Sequence, residues 1–209
     1  MRRQQVTFFV WGLVGGAVSV GLAGSSRSPE FAVLVLTFGT AVLFFVAVVG
    51  GIVTTGVWRH IRVGFGRYVA LLILSLLVYW LTMFTLFSVV SWSGASYADN
   101  NSPIIPRFGA YVWLALIAAG IVWSAGICLM SAVLVRKWSW LLLMRLCGAA
   151  AIAILTTFIV NFPFHKYWSF FGVLLPVGNA LFCYFVGGEI WRHSSAERNA
   201  PQQLDDRIK

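Results

Sequence analysis

Acidic residues are scarce. Six Asp and Glu stand against 15 Lys and Arg in 209 residues, and charges of both signs make up only 10% of the chain. A water-soluble domain carries about 25%, so a solvated globule and a disordered acidic chain are both excluded. Cysteine is also rare. Cys128, Cys147 and Cys183 are odd in number and have no Cys-x-x-Cys spacing. That excludes a disulfide scaffold and a paired-thiol redox centre, and all three read as small apolar residues. The three histidines, His60, His165 and His193, all fall outside the long apolar runs, so a haem clasped between two intramembrane histidines is excluded. No His-Glu-x-x-His, Gly-x-Ser-x-Gly or Walker A pattern occurs. Asp205 and Asp206 lie in a charged tail, where a solvated pair is the simpler reading than a metal site. No cofactor and no metal are expected.

What the chain has in excess is apolar surface. Hydrophobic residues make up 60% and aromatic residues 16%, with 10 Trp and 17 Phe, and mean hydropathy is +0.87. A bilayer core of about 30 Å takes roughly 20 apolar residues per helix. Six uncharged or nearly uncharged runs are long enough: 6–23, 31–56, 68–91, 109–134, 139–161 and 167–190. Ten-residue alternating patterns of a membrane barrel are absent, which leaves helices as the spanning form. The fold expected is therefore an all-α integral membrane protein with short loops. Residues 1–191 form a single six-helix domain, and 192–209 form a polar tail. The first run also has the layout of a secretory signal peptide, basic residues then an apolar stretch then small residues. Its length and the spacing of its small residues favour a retained helix.

Placing the basic residues on the loops turns the charge excess into an orientation. Arg2, Arg3, Arg59, Arg62, Arg67, Arg136, Lys137, Arg192, Arg198, Arg207 and Lys209 fall on one side; Arg27, Arg107 and Lys166 fall on the other. Cytoplasmic loops carry the Lys/Arg excess, so both termini are expected in the cytoplasm, with the chain in a plasma (bacterial inner) membrane. The same rim recurs as Trp58-Arg59-His60 and Trp191-Arg192-His193, where Trp sits at headgroup level and Arg meets lipid phosphate. Anionic headgroups are the expected partner of that rim, and nucleic acid is not needed to explain the charge.

Within the bilayer, helices associate by close packing of small residues. Gly12, Gly16 and Ser19 share a face of the first span. Gly51 belongs to a second such stripe, and Gly120 and Ser124 to a third. These faces are expected to pack within the chain or against a membrane partner, which includes a second copy. The third span is almost wholly bulky and is expected at the periphery.

Only two formal charges lie inside the runs, Arg145 and Glu189. Arg145 is about 10 Å deep at 1.5 Å per residue, where a charge costs at least a few kcal/mol unless it snorkels or is paired. An Arg145–Glu189 contact fastening the last two spans is one expectation, and snorkelling to headgroups is the other. Pro176 and Asn179 are expected to break the sixth span, since Pro removes a helix hydrogen bond. On the outer side, Trp92, Asp99, Arg107, Asn161 and His165 make up a candidate pocket with aromatic walls and a few polar groups.

Three functional readings follow. The first is a non-enzymatic accessory or assembly subunit that packs against membrane partners. The second is a small-molecule transporter, or the substrate-binding membrane subunit of one. About 200 residues in six helices is similar in size to the vitamin-capturing subunits of energy-coupling-factor importers, a resemblance of architecture with no motif behind it. The third is a membrane enzyme of unrecognised type.

Overall fold

The computed structural model describes residues 2–25, 28–59, 64–92, 110–161 and 167–208. Among them every regular element is helical. Six of the described helices are long and apolar enough to cross a membrane, an arrangement compatible with a multi-pass membrane protein.

α1 runs Arg2–Gly24 and α2 runs Pro29–Leu34. Ser28 starts α2 by accepting the Phe31 N–H on its side-chain oxygen at 3.3 Å, and Pro29 follows at the first helical position, where its missing N–H costs nothing. A single π-helical turn over Val35–Gly39 joins α2 to α3, Thr40–Thr54. Gly56, at φ +69°, supplies the left-handed residue that ends α3. A short 3₁₀ turn follows at Val57–Arg59. α4 is Phe65–Trp92 and α5 is Ala110–Val135. The Ser139 side-chain oxygen accepts the Leu142 N–H at 3.2 Å and opens α6, Trp140–Asn161. α7 spans Tyr167–Ile208, 42 residues or about 63 Å at 1.5 Å per residue.

The helices pack around a closed circuit: α1 on α3, α3 on α4, α4 on α5, α5 on α6, α6 on α7, and α7 back on α1. α7 also touches α3 and α5, which makes it the central strut. The buried share of the spanning window expresses this, at 72% for α7 against 22% for α4. α4 is the bulky third span, and its large side chains mostly face outward.

Contact registers fix the directions. Gln5 lies beside Gly188, Phe8 beside Gly187, Gly12 beside Asn179 and Gly16 beside Pro176, so α1 and α7 are antiparallel. Phe8 beside Gly51, Trp11 beside Gly50 and Gly15 beside Leu43 make α1 antiparallel to α3. Val78 against Gly126, with Arg67 donating to the Leu134 carbonyl at 3.5 Å, does the same for α4 and α5. The start of α1, the end of α3, the start of α4, the end of α5 and the start of α6 therefore share one end of the bundle. α7 leaves the bundle from that end.

One expectation about α7 changes. Pro176 and Asn179 do not interrupt it: helical structure runs unbroken through both. Pro176 is buried against α1 at Gly16, whose missing side chain lets the two backbones approach. Neighbouring helices are what make an internal Pro tolerable in a membrane helix. The polar tail expected over 192–209 is helical as far as Ile208, continuous with the spanning part of α7.

Candidate functional site

The polar centre of the bundle is a hydrogen bond between two helices. The Tyr79 hydroxyl, on α4, donates to Asn179 Oδ1, on α7, and both residues are buried. A lone amide in hydrocarbon is costly, and a hydroxyl reaching across from another helix is the standard remedy. One turn earlier on α4, Ser75 Oγ donates to the Ala41 carbonyl of α3 at 2.6 Å. Ser75 and Tyr79, four residues apart, thus tie α4 to both of its deeper neighbours.

Aromatic rings enclose the pair. Phe44 of α3 lies 5.9 Å from the Tyr79 ring, tilted by 48°. Trp123 of α5 stands edge-on to Tyr79 at 5.6 Å and to Phe182 of α7 at 4.5 Å, the T-shaped geometry that ring quadrupoles favour. Gly178 makes room for the Trp123 ring: a Cβ there would stand 2.7 Å from it. One buried donor at this centre, Asn179 Nδ2, has no hydrogen-bond partner among the described residues. Such groups are rare in cores.

Beside the pair lies a cleft of about 40 Å³, lined by Tyr79, Met83, Leu116, Trp123, Ile154 and Leu175 among others. Its walls come from the end of α4, the start of α5, the end of α6 and the start of α7. It therefore occupies the half of the bundle opposite the one where α1 begins. Drug-sized pockets run to roughly 300–1,000 Å³. A cleft of about 40 Å³ has room for only a few atoms.

Glu189 is buried on α7 at the other end of the bundle; one carboxylate oxygen accepts from Arg192 at 3.0 Å, and the other lies 3.5 Å from His193 Nε2. These partners lie three and four residues on, one helical turn away. Arg145 is exposed on α6. The expected Arg145–Glu189 contact is thus replaced by contacts within α7: partners on the same turn are already positioned, whereas a partner on α6 must be reached.

The small residues are placed as follows. A Cβ on Gly12 would stand 2.5 Å from the Asn179 carbonyl oxygen, and one on Gly16 would stand 2.5 Å from Pro176 Cα. Gly51 lies under the Phe8 ring. Ser19 and Ser124 are buried, each donating to its own helix, at Gly15 and Gly120. A Cβ on Gly120 would be 3.5 Å from that of Ala150, ordinary contact. Of the outer-pocket residues, Trp92 and Asn161 close α4 and α6. Asp99, Arg107 and His165 lie outside the described residues, as does the joining of all five into a pocket.

Composition and spacing did not single out Tyr79, Trp123 or Phe182. A usable signal was present: Ser75 and Tyr79 are polar at helical spacing on an otherwise bulky span. No known protein family, curated protein or solved structure matches the chain.

Proposed function

We propose that this membrane protein is a non-enzymatic accessory or assembly subunit that meets its partner through the far end of α7. The observation that carries the reading is the length of that helix. Its spanning window is Gly172–Ser195, yet helix continues to Ile208. The extension holds Glu197, Arg198, Asp205, Asp206 and Arg207, a mixed-charge segment suited to water. A helix of about 13 residues is marginal in water by itself, so it gains most when a partner covers it. The positive-inside count supports a cytoplasmic setting for this end, and on this reading the bundle belongs to a plasma (bacterial inner) membrane.

The test is purification in mild detergent after cross-linking, comparing the full chain with one ending at Ser195. A stoichiometric partner that is kept by the full chain and lost by the shorter one is the expected result. A partner kept by both, or by neither, overturns the reading.

A second reading, the binding membrane subunit of a transporter, is favoured by the cleft at Tyr79 and Trp123. The apolar walls suit an apolar ligand or chain. A rise in thermal stability with such a ligand, abolished by Leu116→Phe or Ile154→Phe across the cleft, would support it.

A further inference from the structure

We propose that the start of α6 is a binding site for an anionic phospholipid, with Arg145 holding the phosphate and the outer face of α6 holding the acyl chains. This inference stands independently of the subunit reading. The exposed residues of α6 include Trp140, Leu141, Met144, Arg145, Gly148, Ile152 and Leu155. They recur every three or four positions and form one stripe facing away from the bundle. Leu142, Leu146, Ala149, Ala150 and Ala153 form the buried face. The stripe is apolar save for one cation.

The cation has a headgroup region within reach. Arg145 is five residues past Trp140, about 7.5 Å along the axis. Helical side chains lean toward the helix N-terminus, which directs the guanidinium back toward the turn that precedes α6. That turn carries the exposed Arg136 and Lys137. It also carries Trp138, whose ring packs edge-on against Trp140 at 5.6 Å. Trp at this level belongs to the headgroup zone. The carboxylate of the neighbouring helix, Glu189, is engaged by Arg192 and His193, so no described acid neutralises the three cations. Past Arg145, Gly148 leaves a notch, with nothing within 4 Å of where its Cβ would be, and Ile152 and Leu155 continue the apolar track. Cations above a notched apolar track complement a phosphate above acyl chains.

The experiment measures lipid retention by native mass spectrometry of the full chain, titrated with phosphatidylglycerol or phosphatidylcholine of matched chains. Wild type is expected to prefer phosphatidylglycerol. Arg145→Gln should reduce the preference about fivefold, the effect of about 1 kcal/mol per basic residue at the surface. Arg145→Lys should keep most of it, and both variants should keep the wild-type unfolding midpoint in neutral lipid. Inorganic phosphate at equal concentration should leave the preference unchanged. An unaltered preference in Arg145→Gln overturns the proposal, as does displacement of the lipid by inorganic phosphate. Loss of a co-purifying protein in Arg145→Gln, with lipid preference intact, also overturns it and assigns the cation to a protein carboxylate.

Discussion

Two glycines of α1 should respond to the same substitution with opposite signs. A Cβ on Gly12 would stand 2.5 Å from the Asn179 carbonyl oxygen, 2.8 Å from its carbon and 2.9 Å from Ala180 Cα. All three are backbone atoms of the central helix and none can swing aside. Ordinary contact begins near 3.4 Å, so Gly12→Ala must drive α1 off α7 by about 0.9 Å. A gap of that size forfeits a quarter to a half of each contact's dispersion well, and overpacking of a tight seam costs about 1–3 kcal/mol. A Cβ on Gly21, on the same helix, would meet nothing within 4 Å. Gly21→Ala should therefore be neutral or stabilise by up to about 1 kcal/mol, since Ala is the better helix former. Reversible unfolding in mixed micelles, followed by tryptophan fluorescence, compares the two directly. Gly16→Ala, a second clash on the same seam, should add less to Gly12→Ala than it costs alone, because the helices have already parted. Equal effects at Gly12 and Gly21 would refute the antiparallel α1–α7 seam.

Other perturbations probe the polar centre and the first helix. Tyr79→Phe removes the donor to Asn179 Oδ1 and should destabilise by about 1–2 kcal/mol. In the Tyr79→Phe background, Asn179→Leu should cost less than it does alone, and a double-mutant cycle in the same unfolding assay reads the coupling. Phe8 is fully buried against Gly51 and Gly187. Phe8→Ala should cost about 3 kcal/mol through the cavity it leaves, measured as a lowered unfolding midpoint. Trp11→Phe removes the N–H donated to Thr54 Oγ1 at 3.2 Å while keeping an aromatic ring, and should cost less than about 1.5 kcal/mol.

Hydrophobic run length located all six spanning helices, because the bilayer sets a length threshold that local sequence either meets or misses. Partner choice was harder to read. Glu189 resolves onto Arg192 and His193 because one helical turn already brings them together, a relation no tally of intramembrane charges weighs. Pro176 is continuous in the helix because Gly16 lets α1 lie against it, and that depends on which helix is the neighbour. Tyr79 sits on the least buried span, so composition placed its whole helix at the rim. A single polar side chain at the right depth nevertheless reaches Asn179. The position of each span is set by one run alone and is legible; the partner of an individual side chain is not.

The seam between α1 and α7 joins two helices made far apart in time. About 150 residues separate Gly24 from Gly172. At roughly 5–20 residues per second the ribosome needs on the order of 8–30 s to make them. During that interval Gly12 and Gly16 have no α7 to meet, and Tyr79 has no Asn179. α1 can settle against α3 early, but the slot on its other side stays open until α7 arrives. A chain stalled after α6 is then an unclosed ring, presenting a glycine groove and a buried tyrosine hydroxyl to whatever occupies the bilayer beside it. Timing gives α7 a second duty: it is the keystone whose arrival closes the ring.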